Sequence, residues 1–443
     1  MNIIRLIIVL SISIFILYFL VRNYNKGLAL TVFFLILLPN ELCVELGADL
    51  PTITAFRAII LVVTFYSLYK GKLKEKCPKM PILNILIVIF FSKLASLIFA
   101  FKFAVSLNGI IVFAIETLLL FVILTKAVND RQTIISIMYG ACSAIFLIAI
   151  LGLIERYTKF NPVDYIVPSN DPRFDPDKIN SIYSTLAHPI HFGTALAMGW
   201  PICLYILDKQ DNPLRKNLFF ICTFLIYGGL YFSGSRGPWL GFCVALILLI
   251  VFKFPRIKQK TLFIVYLVIL ILMMRPGIYE TISGLWTATF DVERIEGSSF
   301  YYRFELLKVA FREVIKFPER LAFGYGDGSA QVMDLRGMLS YGSGREVNFW
   351  SWDNHFAVML LHEGLIGLIL HLILYFLIFY YLIKGIKLIP QERSLMIALI
   401  ASNAVLIFMM TNVALFSPQL GFIFWTNTAI GLILSQKIYK IKT

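Results

Sequence analysis

The chain has 443 residues, of which 59% are hydrophobic and only 15% are charged, and its mean hydropathy is +0.81. Soluble globular domains carry about 25% charged residues, so this composition excludes a soluble protein. The net charge of +14 would suit nucleic acid, but more than half of the 40 basic residues lie in short connectors between apolar segments. There they set the orientation of membrane segments, because Lys and Arg accumulate on the cytoplasmic side.

Thirteen apolar segments follow one another along the chain. Nearly continuous apolar runs predict helices, since the strands of a membrane barrel would alternate polar and apolar residues. We therefore predict an all-α polytopic membrane protein with 12 to 13 transmembrane helices, forming a single membrane domain over residues 1–443. The predicted spans are 3–21, 28–46, 55–69, 81–101, 107–125, 133–154, 191–207, 218–233, 238–252, 261–275, 355–383, 394–416 and 420–436.

The basic connectors also assign the remaining loops to the outer side. Two of these external loops are large, at residues 155–190 and 276–354, and a short one at 233–237 lies between them. A C-terminus on the inner side and thirteen spans place the N-terminus outside, unless the second segment only enters the membrane part of the way. The sequence thus predicts a membrane domain with a partly helical cap on its outer face.

The second large loop contains an amphipathic helix from about Ser299 to Phe317. At helical spacing its apolar residues fall on one side, and we expect this side to be buried. Arg303 lies inside the buried arc, where a guanidinium needs an anionic partner. Pro318 ends the helix ahead of a turn at Gly324-Tyr-Gly326. The apolar side consists of Phe300, Phe304, Leu307, Phe311 and Val314, widened by Leu306 and Ala310.

The external turn Ser233-Gly-Ser-Arg-Gly-Pro238 precedes an apolar span. Pro238 suits the first turn of a helix, and Ser235 or Gly237 suits its cap, so Arg236 lies at the positive end of the helix. Backbone N–H groups, the helix dipole and a guanidinium together form an anion site that matches phosphate. The alternative is an interfacial arginine that only reaches toward water; a second external arginine, Arg303, favours the anion site.

Asp353, Asn354 and His355 lie where the second large loop enters the membrane. Either Asp353 or His355 could act as a general base on a hydroxyl group. The alternative is that these residues only cap the next helix, because Asp and Asn are common at helix starts. Further along this span, His362 and Glu363 are assigned to packing or polar pairing.

Other polar residues near the outer face carry weaker signals. His188 and His191 flank Pro189, but no carboxylate or cysteine stands at ligand spacing beside them, so we predict no metal site. Arg57 lies just inside the outer end of the third span and can extend its guanidinium to the interface. The sequence has no phosphate-binding glycine motif, so we expect no nucleotide and no cofactor.

The order of these motifs resembles that of the bacterial O-antigen ligase and O-antigen polymerase superfamily. The resemblance covers about residues 180–435 and rests on Ser233-Gly-Ser-Arg-Gly, the Arg303 helix, Gly324-Tyr-Gly326 and Asp353-Asn-His-Phe with Leu361-His-Glu-Gly. It implies a metal-independent glycosyltransferase of the C type in the bacterial inner membrane, facing the periplasm. It also implies an undecaprenyl-diphosphate-linked saccharide donor, a saccharide acceptor and a chain-length regulator as partners. By this analogy Arg236 and Arg303 would hold the donor diphosphate.

The residue order at the loop-to-span junction departs from the ligase pattern and favours the polymerases of the superfamily. The ligases place His before Asn at the loop-to-span junction, whereas this chain has Asp353-Asn354-His355. Two positions on a helix turn a side chain by about 200°, so His355 cannot replace the ligase histidine in place. Asp-Asn resembles the polymerases that join repeat units of O-antigen, capsule or exopolysaccharide. A ligase that moves finished glycan to lipid A core or another acceptor is the alternative, and a flippase for lipid-linked oligosaccharide is an alternative of another class.

Overall fold

A computed structural model describes residues 2–44, 52–74, 80–128, 130–166, 182–254, 295–333, 352–414 and 417–436, with the isolated residues 284 and 287. These ranges are almost entirely helical, and the strand pairs they contain are limited to one short antiparallel pairing of β1 (Cys43–Val44) with β2 (Ile53–Thr54). The chain is thus an all-α polytopic membrane protein. The predicted span 261–275 and much of the loop 276–354 lie outside the described residues.

In the part of the chain that the structure describes, nine apolar helices precede the second large loop. All are strongly apolar, and α5 contains a π-helical turn at Phe113–Leu119. Their bounds are α1 (Asn2–Arg22), α2 (Tyr24–Leu37), α3 (Ala55–Tyr69), α4 (Pro81–Leu97), α5 (Phe103–Ala127), α6 (Arg131–Thr158), α7 (Pro189–Asp208), α8 (Pro213–Phe232) and α9 (Arg236–Val251).

Three helices of the large loop and three further membrane helices complete the described chain. The loop contributes α10 (Ile295–Val314), α11 (Pro318–Phe323) and α12 (Ser329–Val332), and the membrane part contributes α13 (His355–Leu388), α14 (Arg393–Met409) and α15 (Pro418–Ser435). Among the described residues, seven helices are at least 18 residues long and apolar enough to cross a membrane; α2, α3 and α9 are apolar but shorter. The second predicted span, 28–46, is wrong at its end, because α2 stops at Leu37 ahead of Pro39, which cannot continue a helix.

Hydrogen bonds and ion pairs between helix termini identify the two opposite ends of the bundle. At one end Arg5 donates to the Ile166 carbonyl, Gln419 donates to Leu38, and the His355 amide donates to Met410. At the other end Lys126 donates to the Leu73 carbonyl, and Arg131 pairs with Glu392 at 2.6 Å. We call the first the loop end, because α6 ends and α13 begins there. We call the second the basic end. Helix termini alternate between these two ends along the chain, as the positions of the basic connectors predict.

The centre of the bundle is formed by α7, α14 and α15. Helix α14 packs against α7, α9, α13 and α15, and most of its residues are buried. On the periphery, large apolar side chains such as Phe91 and Phe376 are exposed. Such exposure is the expected pattern for helices whose outer surface faces lipid.

The loop helix α10 buries only part of the face that its sequence periodicity predicts. Tyr302, Leu306, Val309, Ala310 and Val314 are buried, and they pack against the first two turns of α13. The predicted core residues Phe304, Leu307 and Phe311 are 56%, 39% and 46% exposed. The prediction of the buried face was therefore wrong at these three positions. Beside a bilayer, an aromatic stripe is stable without protein cover, so periodicity alone does not identify the core side.

Candidate active site at the loop end of the bundle

Arg303 joins the loop helix α10 to the start of α13. Its Nε donates to the Asn412 carbonyl at 2.8 Å, and its Nη2 lies 3.9 Å from Asp353 Oδ2. Asn354 caps α13 by accepting from the Ala357 amide, and its side-chain amide donates to the Arg303 carbonyl at 3.2 Å. Arg303 therefore has an anionic neighbour, as its position in the helix requires, and this neighbour is one of the two candidate bases.

The end of α14 connects this cluster to Arg236. Gly237, the next residue after Arg236, packs so tightly on α14 that a Cβ there would lie 3.0 Å from Met409 Cε. Three residues after Met409, the Asn412 carbonyl accepts from Arg303. The segment that carries Arg236 and the helix that carries Arg303 thus contact residues three positions apart, Met409 at the end of α14 and Asn412 just after it.

Helix α9 begins with Arg236, and Ser235 is its N-cap residue. The Ser235 side chain does not cap the helix; its hydroxyl donates to the Ser233 carbonyl at 3.3 Å. Gly234 has a φ of 64°, which brings the chain into the turn at low steric cost. Arg236 is exposed at the positive end of the helix, the position that an anion-binding arginine requires.

Helix α13 is broken one residue after Glu363. Gly364 has φ 66° and ψ −164°, so the carbonyls of Leu361 and His362 lose their helical partners. The Tyr325 and Gly326 amides donate to these two carbonyls at 2.8 and 2.9 Å. The predicted Gly-Tyr-Gly turn therefore packs into the break and replaces the missing helical hydrogen bonds.

A buried ionic cluster lies next to this junction. Lys93 Nζ on α4 donates to both Asp327 oxygens at 2.8 and 2.9 Å and to Glu363 Oε1 at 2.7 Å. His362 Nδ1 lies 3.6 Å from Asp327 Oδ1, and its Nε2 accepts from the Ala330 amide at 3.2 Å. Burial alone raises the pKa of Asp327, but the Lys93 ammonium outweighs it and holds that pKa below its ordinary value. This cluster fixes the large loop to the membrane bundle.

A cavity of about 440 Å³ opens beside the cluster, between α4, α5, α13 and α15. His355 and Glu363 line it from α13, and Asn108 and Glu116 line it from α5. His355 follows Asp353 by two residues, but its ring faces this cavity whereas Asp353 faces Arg303. The two candidate bases consequently face different spaces.

The secondary candidates have separate positions. Arg57 is buried and its Nε donates to Glu116 Oε1 at 2.9 Å, so it is an ion-paired residue inside the bundle and does not extend to an interface. His188 caps α7 by accepting from the Ile190 amide at 3.1 Å. The rings of His188 and His191 are 5.9 Å apart, and His191 lies near the backbone of Ala414. In the part of the chain that the structure describes, no group of three His, Cys, Asp or Glu residues could hold a metal ion.

Most of the ionic cluster was not predicted from the sequence. Glu363 and His362 were assigned to packing or polar pairing, and Lys93 and Asp327 were not among the predicted site residues. One signal was present: a lysine inside the apolar run 81–101 is costly in a membrane and indicates a buried partner. That partner is 234 residues away along the chain.

The fold and this site define a polytopic helical membrane protein whose arginines and carboxylates gather at one end of the bundle. The sequence profile described as O-antigen ligase matches residues 221–372, which include Arg236, Arg303 and Asp353. The match is narrower than the 180–435 of the motif resemblance, but it confirms the resemblance to the O-antigen ligase and polymerase superfamily. This partial match supports an enzyme of the glycosyltransferase type in the membrane. Among proteins with curated functions, none matches this chain.

Proposed function

We propose that this protein polymerises undecaprenyl-diphosphate-linked oligosaccharide repeat units into O-antigen, capsule or exopolysaccharide at the periplasmic face of the inner membrane. The observation that carries this proposal is the position of Asp353, 3.9 Å from Arg303, beside the residues that follow α14; Gly237, the neighbour of Arg236, packs on Met409 at the end of that helix. Two guanidinium groups suit a diphosphate, and a carboxylate beside them suits an acceptor hydroxyl. The loop end is then the periplasmic side.

In the proposed reaction, Arg236 and Arg303 bind the donor diphosphate and balance the charge that it gains on leaving. Asp353 takes the proton of the acceptor hydroxyl. The acceptor oxygen forms a bond to the anomeric carbon of the donor sugar, and the bond from that carbon to the phosphate oxygen breaks. Charge stabilisation comes from protein groups, so the mechanism is metal-independent, and it uses no cofactor.

Variants of the two arginines test the diphosphate site. Lys keeps the charge but loses the two parallel donors of Arg, so Arg236→Lys and Arg303→Lys should each lower glycan formation by about 10²-fold to 10³-fold. Membrane levels of both variants should equal those of the native protein. Near-normal glycan from either variant would remove the basis of the diphosphate site.

The alternative within the family is a ligase that transfers finished glycan to lipid A core or another acceptor. Deletion of the gene separates the two activities. Loss of a polymerase leaves single repeat units on the acceptor, whereas loss of a ligase leaves long chains on the carrier lipid. The Asp353-Asn354 order favours the first outcome.

A flippase for lipid-linked oligosaccharide has one observation in its favour. Transporters place ionisable residues inside the membrane, and the Lys93, Asp327 and Glu363 cluster lies inside the bundle. Vesicles that contain the purified protein and a fluorescent lipid-linked saccharide distinguish the two classes. A flippase makes the inner-leaflet label accessible to dithionite, and the proposed polymerase leaves it protected while extending the saccharide.

A further inference from the structure

We infer that the cavity between α4, α5, α13 and α15 binds the uncharged saccharide end of the acceptor, with Asn108 and Glu363 accepting hydrogen bonds from sugar hydroxyls. The inference rests on the proposed transferase function, and it assigns to the acceptor a site separate from the arginines. It concerns the substrate class and the recognising residues, which the match to the family does not define.

The charge of the cavity wall excludes the diphosphate. Lys93 faces two carboxylates, Asp327 and Glu363, at 2.7 to 2.9 Å. The other charged lining residue among those described is Glu116, and Arg57 neutralises it from behind. Among these charged groups the carboxylates exceed the cations by one. An anionic group is repelled there, and a neutral polyol is not.

Two hydrogen-bond acceptors in the wall point to a ligand that donates. Glu363 Oε2 and Asn108 Oδ1 are buried and have no hydrogen-bond partner among the described residues, and both residues line the cavity. The Glu363 side chain is only 4% exposed. His371 lies 3.6 Å from Glu363 Oε2, but its Nδ1 is 2.9 Å from the Gly367 carbonyl. Buried acceptors of this kind are costly unless a donor meets them, and sugar hydroxyls are donors.

The rest of the wall fits the apolar faces of a sugar ring. Phe113, Tyr375, Phe422 and Trp425 line the cavity together with the few polar groups named above. Binding sites for small polar molecules combine such an apolar, aromatic lining with a small number of placed polar groups. The volume of about 440 Å³ is within the range of about 300–1,000 Å³ for ligand sites.

The cavity also lies next to the arginine site. His355 and Met410 both line it, and the His355 amide donates to the Met410 carbonyl at 2.9 Å. Met410 follows Met409, on which Gly237 packs, and precedes Asn412, which accepts from Arg303. The cavity wall at Met410 and the Arg303 contact at Asn412 are therefore two residues apart along the chain.

Gly421 on α15 offers a clean way to fill the cavity. It lines the cavity, and a Cβ placed on it would meet no heavy atom within 4 Å. Gly421→Phe should therefore occupy the space without displacing the backbone, and Gly421→Ala is its matched control. Asn108→Leu is a second variant, which removes the acceptor oxygen at nearly constant size.

The experiment measures binding by calorimetry in a detergent without a sugar headgroup. The two probes are the repeat-unit oligosaccharide released from the producing strain's polysaccharide and inorganic pyrophosphate. Gly421→Phe and Asn108→Leu should each weaken oligosaccharide binding at least tenfold and leave pyrophosphate binding unchanged. Gly421→Ala should bind both probes like the native protein, and Arg303→Lys should lose pyrophosphate binding only.

Oligosaccharide affinity within twofold of native in a folded Gly421→Phe or Asn108→Leu variant would overturn the inference. An equal loss of pyrophosphate binding would overturn it as well, because the cavity would then not be a separate site. A wrong cavity assignment can be distinguished from a wrong proposed function by the glycan ladder. If the cavity variants make a normal glycan ladder and gene deletion abolishes it, only the cavity assignment is wrong; if deletion leaves the ladder unchanged, the proposed function is wrong.

Discussion

Replacing Lys93 with Met removes the cation that bridges Asp327 and Glu363, and it tests whether this cluster holds the large loop on the bundle. Lys93 is 6% exposed, and its ammonium lies 2.7 to 2.9 Å from three carboxylate oxygens. At an effective dielectric constant of about 20, one such pair is worth about 6 kcal/mol before desolvation. After desolvation, loss of one partner from a buried pair costs about 3–5 kcal/mol, because the remaining charges stay buried without compensation.

The free energy of unfolding of Lys93→Met should therefore fall by about 3–5 kcal/mol. It is measured from near-ultraviolet circular dichroism in mixed micelles with an increasing fraction of SDS. Lys102→Met is the matched control, because Lys102 is an exposed lysine at the same end of the bundle. This control should change the free energy by less than about 0.5 kcal/mol.

A compensating variant gives the reasoning a second test. Adding Asp327→Asn and Glu363→Gln to Lys93→Met removes the uncompensated charges and should restore most of the lost stability. A Lys93→Met variant as stable as the native protein would refute the ionic anchor. So would a triple variant less stable than the single one, because the loss would then come from packing.

Three further predictions concern the same region. Asp353→Asn should abolish glycan formation while His355→Ala retains it, and glycan gels of the two strains check this; the reverse result would move the base to His355. Gly364→Ala should destabilise the protein by several kcal/mol, whereas Gly421→Ala should not, because a Cβ on Gly364 would lie 2.5 Å from the Ala322 carbonyl at a φ of 66°. Asp327 has a folded pKa below its ordinary value of 3.8, so its stabilisation is complete above about pH 4 and is lost as the pH falls through the lowered pKa. Unfolding curves below pH 4 should then show a smaller loss in Asp327→Asn, and an equal loss would contradict this.

The apolar runs and the basic connectors determined the fold class. Continuous runs such as 356–383 can satisfy their backbone in lipid only as helices, and the contacts between helix ends agree with the alternation that the connectors predict. Arg236 at a helix start and Asn354 as a cap were also predictable, because they depend on residues within one turn. Local signals of this kind do not require knowledge of the neighbours.

Only the tertiary structure determined the features that depend on contacts between residues far apart in the chain. Periodicity placed Phe304 in the core, but α10 buries Tyr302 and Val309 against α13, since lipid and protein both accept apolar side chains. Lys93 and Asp327 meet across 234 residues, and no local pattern pairs them. The sequence alone determined that this is a helical membrane protein with arginines at one face. Only the packed bundle decided that Asp353 faces Arg303, that His355 faces a cavity, and that the Gly-Tyr-Gly turn closes a break in α13, because each contact joins segments whose sequences carry no information about one another.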